Sequence, residues 1–321
     1  MTSVEPKREE GVARRHGYDA FRLLAMVLVV LRHLKSLFDI PIEPEFFGWD
    51  IGQIGVAIFL AISGVLIGGD SRSSVDWLLA RLVRVFPAYW VVTLLAFALT
   101  AFSGHKPASV VQFIWQMTGL GLYFIPELVN VATWFVGLLL ALYFSIFLMK
   151  TVGVYNHGVW VASAVCCVLL VINPYEMYFV HALAFYLSIL ISRSRNQVAV
   201  TWICVLALLL CAVRMRVFGY AALGLVTIPL AEWIARIPAW LMYVAKYSYE
   251  FYLVHGIVFV AVRRLFGTNP WFAIGLGVVV GWIVAVVLQK GVSWGLRSVG
   301  LSRWLQQYSV RQKTLDSMRS K

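Results

Sequence analysis

The sequence predicts an all-α fold: a polytopic membrane helix bundle of about ten transmembrane helices, with both termini cytoplasmic. Three observations carry this. Hydrophobic residues make up 61% of the 321 and charged residues 13%, against about 25% charged in an ordinary soluble domain. The apolar stretches are helix-length and rich in Leu, Val and Ala, unlike the roughly ten-residue alternations of a membrane barrel. Lys and Arg fall unevenly on the two ends of those stretches, as the bias of basic residues toward cytoplasmic loops requires.

Residues 1–17 read as a polar cytoplasmic segment. No small-residue cleavage site stands out after the first apolar run, so that run is expected to be a retained span and not a signal peptide. Spans are expected over 18–38, 52–70, 84–103, 132–150, 158–173, 177–193, 198–215, 217–235, 247–265 and 271–290. The stretch 108–126 holds Gln112, Gln116, Gly119 and Gly121 and ends at Pro126. It reads as an amphipathic or re-entrant segment on the outer side; counted as a span, it would move the C-terminus outside. Charge decides between the two. With ten spans and the N-terminus inside, 19 of the 27 Lys and Arg are cytoplasmic and 7 are outside, with Arg22 within the first span. Residues 291–321 are a basic cytoplasmic tail with Trp294 and Trp304, which either lies along the inner leaflet or frays.

The net charge of +12 follows from this loop bias and does not argue for nucleic acid as a partner. Cys166, Cys167, Cys204 and Cys211 all lie in apolar runs without metal-ligand spacing, so they read as reduced packing residues and no metal is expected. Walker-type phosphate loops, GxSxG elbows and HExxH helices are absent from the sequence.

Four constellations can carry chemistry. In the first span, Arg22 and His33 are separated by about three turns at ~3.6 residues per turn, so they share a face ~16 Å apart along the axis. Ionisable residues inside a span are costly unless they face a polar cavity or a partner. Asp19 is three residues before Arg22 and can pair with it. On the functional reading His33 is a general base toward a hydroxyl, because imidazole titrates near neutral pH, and Arg22 holds a donor entering from the cytoplasm. On the plainer reading Arg22 snorkels and His33 is interfacial. Second, Arg81 and Arg84 share a face ahead of Phe86-Pro87-Ala88-Tyr89-Trp90, with Pro87 placed early in its helix. They suit a polyanion such as a nucleotide phosphate, or serve as positive-inside anchors. Third, Ser248, Tyr252 and His255 fall at i, i+4 and i+7 and form a polar stripe, with Glu250 pointing largely away. That stripe is either a cavity wall or helix–helix hydrogen bonding. Fourth, GVAIFLAISGVLI from Gly55 to Ile67 is followed by Gly68, and Gly64 with Gly68 makes a close-packing GxxxG. Ser63 either lines a cavity or bonds its own backbone. Trp134, at the start of the 132–150 span, either stacks on a sugar or anchors at the interface.

These stretches resemble, in order along the chain, those of the acyltransferase-3 family of integral-membrane acyltransferases. The family opens with an Asp-x-x-Arg pattern and a histidine eleven residues past the arginine, as at Asp19, Arg22 and His33. It continues with a span like GVxxFFxxSGFLI, a stretch like RRxxRIxPxYW (Arg81, Arg84, Pro87, Tyr89 and Trp90 here), and SYxxYLxH (Ser248, Tyr249, Tyr252, Leu253 and His255 here). The resemblance covers about 17 to 290, so 18–290 is read as the membrane acyltransferase domain. One departure stands out: many members carry Trp-Ser-Leu-x-x-Glu in the middle span, where this chain has Trp134-Phe135-Val136-Gly137-Leu138-Leu139 without the acid.

The resemblance implies a cytoplasmic acyl-CoA donor, usually acetyl-CoA, and a hydroxyl acceptor on a sugar of a polysaccharide, lipid-linked glycan or glycolipid. It implies His33 as the catalytic histidine, with Arg22 and Asp19 as partners. Arg81 and Arg84 become candidates for the CoA phosphates beside Arg22, and Tyr252 and His255 would line the acceptor side, where Ser63 and Trp134 are candidates from the residue reading above. The expected setting is a bacterial inner membrane, with the lipid bilayer, acyl-CoA, the glycan acceptor and glycan-assembly proteins as partners. The soluble hydrolase-like domain of some members is not found after residue 290, so transfer is expected within the membrane part. A rival from another class is a transporter or flippase for an anionic glycolipid, and a third reading is a non-catalytic scaffold.

Overall fold

The computed structural model describes residues 5–41, 43–102, 109–234, 236–266 and 269–300, with backbone alone for 5–15, 102 and 131. Lys106 and the tail beyond 300, with Trp304, lie outside the described residues. The chain begins with α1 (Glu5–Phe38) and a two-residue hairpin, β1 (Glu45–Phe46) and β2 (Trp49–Asp50). Then follow α2 (Ile51–Gly68), α3 (Ser74–Phe102), α4 (Val110–Met117), α5 (Gly121–Phe124), α6 (Trp134–Thr151), α7 (Tyr155–Ile172) and α8 (Met177–Arg193). The last are α9 (Gln197–Ala212), α10 (Phe218–Trp233), α11 (Ala239–Lys246), α12 (Ser248–Phe266) and α13 (Pro270–Ser298). Among the described residues five helices are long and apolar enough to cross a membrane: α2, α3, α6, α7 and α13. Helices α8, α9 and α10 are apolar but shorter. The fold is all-α apart from the hairpin, and the chain is a multi-pass membrane protein.

Helix α2 is the axis of the bundle. It packs against α1, α8 and α10, and most of its length is buried. Its Asp50 cap accepts a hydrogen bond from the Gln53 amide, satisfying one of the free first-turn donors. Close approach to α8 requires the two glycines of the GxxxG. A Cβ on Gly64 would stand 2.0 Å from Ser188 Oγ and 2.3 Å from the Phe185 carbonyl oxygen. At Gly68 it would meet Ser192 Oγ at 1.8 Å. Without a solvent-driven hydrophobic term inside lipid, such contact is what holds helices together. Gly64→Leu is therefore expected to separate α2 from α8, costing at least the ~1–3 kcal/mol of an overpacked core. Loss of a monodisperse peak in detergent chromatography measures it.

The segment after α3 is broken, as its glutamines and glycines indicate. Eight residues of α4 span only ~12 Å at ~1.5 Å per residue, well short of a ~30 Å hydrocarbon core. Ser109 and Gln112 close a reciprocal capping box. The fully buried Gln116 side chain accepts from the Val129 amide at 3.0 Å and donates to Thr133 Oγ1 at 3.2 Å. Tyr89 Oη donates to the Gln116 carbonyl. Non-helical backbone at membrane depth survives only with such partners.

The expected place of Pro87 is corrected. Helix α3 starts at Ser74, so Pro87 is interior to it. Charges at Asp76, Arg81 and Arg84 lower the local hydropathy and hide the first three turns from a search for apolar runs, although the helix is continuous there. Likewise α1 extends back to Glu5, well before residue 18.

Candidate active site

Helices α1 and α12 meet where α1 carries His33 and α12 carries His255. The inner face of α12 is the polar stripe read from the sequence: Ser248, Tyr252 and His255 are all buried. Side-chain bonds from the segment before α6 fix this face. Tyr252 Oη donates to the Ala132 carbonyl at 2.9 Å, and Asn130 Nδ2 donates to the Leu253 carbonyl at 3.1 Å. Asn130 is itself tied down, its Oδ1 accepting from the Ala132 amide at 3.1 Å and its carbonyl from Thr133 Oγ1 at 2.6 Å.

His255 is fully buried. Its Nδ1 lies 2.5 Å from the Tyr252 carbonyl oxygen, and its Nε2 lies 2.6 Å from His33 Nδ1. The two rings are parallel within 9°, with centroids 4.9 Å apart. Face-to-face stacking would hold ring atoms about 3.5 Å apart or more. A nitrogen–nitrogen distance of 2.6 Å therefore means that the rings meet edge to edge through an in-plane hydrogen bond.

Beside this pair is a cavity of about 860 Å³, within the usual range for small-molecule sites. His33 and His255 form part of its wall. Leu37, Ala96, Leu99, Val260 and Leu265 make the wall mostly apolar, and Gln112, Glu127, Asn130 and Arg264 add polar groups.

Arg22 lies at the other end of the same face of α1 and is not among the residues lining this cavity. The expected pairing with Asp19 is present: Arg22 Nη1 donates to Asp19 Oδ1 at 3.2 Å. Arg22 is also near enough to Arg84 and Tyr143 to interact with them electrostatically. The structure thus brings Asp19, Arg22 and Arg84 together at one end of the face, and His33, Tyr252 and His255 at the other.

Arg81 and Arg84 part company. Arg84 is exposed, whereas Arg81 Nη2 donates to Asp70 Oδ2 at 3.1 Å. Asp70 is the hub of a network at the Arg22 end. Arg72 also grips its carboxylate, and Lys150 Nζ donates to the carbonyls of Asp70 at 3.0 Å and Arg72 at 3.1 Å. Arg193 donates to the Gly68 carbonyl at 3.1 Å and lies 3.9 Å over the Tyr155 ring. Burial pushes the Asp70 carboxyl up, but the hydrogen bond and charge of Arg72 and the charge of Arg81 outweigh it, holding the group below its ordinary value.

Two other predicted residues stand apart. Ser63 is half-buried on α2 and does not line the cavity. Trp134 makes ring contacts with Phe135, Tyr178 and His181 at 6.4, 6.0 and 6.3 Å. The fully buried His181 lies with Nε2 2.6 Å from Gln53 Oε1. Sequence reasoning missed Asn130 and Asp70. Asn130, a polar residue just before the 132–150 span, and Asp70, a lone acid in the Gly-Gly-Asp-Ser-Arg turn after α2, were the available signals.

A family model described as an acyltransferase domain matches residues 15–290. The chain belongs to the acyltransferase-3 family. The matched region of this acyltransferase-3 chain includes Asp19, Arg22, His33, Arg81, Arg84 and His255. Over 86 residues it is 37% identical to a protein named O-acetyl transferase from Shigella phage Sf6. That match spans about a quarter of each chain, 26% of this one and 26% of the phage protein. No solved structure matches the chain.

Proposed function

We propose that this acyltransferase-3 chain transfers an acyl group, typically acetyl, from cytoplasmic acyl-CoA to a sugar hydroxyl of a polysaccharide, lipid-linked glycan or glycolipid. The setting is a bacterial inner membrane, crossed ten times with both termini inside; the excess of Lys and Arg at one end supports this orientation. One observation carries the chemistry: His33 is in the wall of a cavity of substrate size.

His33 takes the proton of the acceptor hydroxyl as its oxygen attacks the thioester carbonyl carbon. The carbon–sulfur bond breaks, and CoA departs as a thiolate that is then protonated. Alternatively, His33 accepts the acyl group and passes it on, which suits an acceptor facing outward. The donor approaches from the Arg22 end. Arg84, exposed and near Arg22, is the better-placed cation for a CoA phosphate, and Arg81 contributes from its Asp70 pair. Tyr252 and His255 shape the acceptor side; Ser63 and Trp134, which are outside the cavity wall, have no part in this reading.

The test is release of free CoA thiol from acetyl-CoA by purified protein, with transfer to added glycan acceptors. Arg84→Ala is expected to raise KM for acetyl-CoA about tenfold or more with kcat little changed, as loss of one charge-assisted hydrogen bond of ~1.5–3 kcal/mol requires. A flippase would move a glycolipid without releasing thiol; that outcome overturns the reading.

A further inference from the structure

We propose that His255 is a positioning residue that fixes the tautomer of His33 and leaves His33 Nε2 as the ring's one basic nitrogen. The role for His33 rests on the function proposed above; the assignment of tautomers rests on geometry alone.

A backbone carbonyl can only accept a hydrogen bond. His255 Nδ1 is 2.5 Å from the Tyr252 carbonyl oxygen, so that nitrogen carries the hydrogen. The reverse arrangement would press two lone pairs together at a fully buried site, where an unsatisfied contact is costly. A neutral imidazole has one donor and one acceptor. With Nδ1 donating, His255 Nε2 must accept, and its partner 2.6 Å away is His33 Nδ1. His33 Nδ1 therefore carries its own hydrogen, and the lone pair of His33 lies on Nε2.

The edge-to-edge alignment of the rings gives this bond good geometry. The chain runs from the Tyr252 carbonyl through His255 to His33 and points one way only. It orients the His33 ring, and when His33 takes a proton it leaves His255 Nε2 as acceptor for the imidazolium. In serine hydrolases an aspartate does this work, and spoiling the tautomer there lowers kcat by about 10⁴-fold. Here a neutral histidine, anchored by a carbonyl of its own helix, occupies that position. The segment holding Asn130 and Ala132 clamps the same turn of α12, so the acceptor at His255 Nε2 is rigidly placed.

Two measurements test this. In ¹⁵N-histidine-labelled protein, solid-state NMR at pH 8 is expected to show His33 protonated at Nδ1 and bare at Nε2, with its signals assigned through His33→Asn. A resting His33 protonated at Nε2 overturns the proposal whatever the activity. In the kinetic arm, His255→Phe keeps ring size but removes the acceptor, and is expected to lower kcat about 10²–10⁴-fold with KM for acetyl-CoA within about twofold. His255→Gln places a carbonyl oxygen near the lost Nε2 and is expected to recover kcat to within about tenfold of the parent. A His255→Phe protein with parental kcat, or a His255→Gln protein as impaired as His255→Phe, overturns it. Lack of any thiol release by the parent protein would sink the proposed function yet leave the NMR arm intact.

Discussion

His33→Ala is expected to abolish thioester-dependent acyl transfer, lowering kcat by at least about a thousandfold, while the protein inserts and accumulates normally. General-base catalysis alone contributes about 10²–10⁴-fold, and an acyl-histidine route would lose the nucleophile outright. The substitution removes few packing contacts, because His33 is only partly buried and faces the cavity. Full-length accumulation, an unchanged elution profile and retained acetyl-CoA binding would show that chemistry alone has been lost. Normal transfer by this variant would remove His33 from the mechanism and, with it, the proposed function.

Asp70→Asn is expected to destabilise the protein by about 3–5 kcal/mol, the usual cost of breaking a buried ion pair from one side. The Asp70 and Arg81 side chains are 10% and 14% exposed, so solvent screens them poorly. The variant would leave Arg72, Arg81, Lys150 and Arg193 gathered without their shared counter-charge. Acid should imitate the substitution. Because the folded-state carboxyl titrates below its ordinary value of 3.8, its contribution is complete above that value and is lost as pH falls through the depressed one. Thermal unfolding in detergent between pH 7 and pH 2.5 checks both. The parent protein should lose stability at the acid end by more than Asp70→Asn does, and parallel curves would refute the assignment.

Local spacing made one half of the site legible. A helix returns to the same face after eleven residues, so spacing alone aligns Asp19, Arg22 and His33, and the Asp19–Arg22 bond is where that alignment puts it. The i, i+4, i+7 stripe of Ser248, Tyr252 and His255 was legible for the same reason, and all three are buried. The meeting of His33 with His255 was not. The residues are 222 apart in sequence, and each helix has several faces that α1 and α12 could have presented. Arg81 and Arg84 show a related limit. Periodicity puts them on one face, but it cannot show that the turn after α2 folds back to deliver Asp70 to one of them. Charge misled at α3, where arginines masked a continuous helix and displaced the expected setting of Pro87.

In the reaction proposed above, a base beside a bound thioester would activate any hydroxyl that reaches it, and water is the most abundant one. On the apolar part of the wall, Leu37, Leu99, Val260 and Leu265 leave ordered water few anchors, so it is held mainly at the polar groups of Gln112, Glu127, Asn130 and Arg264. Idle hydrolysis should therefore be slow, and a greasy or tethered acceptor would displace what solvent remains. Polar replacements at these four leucine and valine positions would turn a selective transferase into a leaky thioesterase.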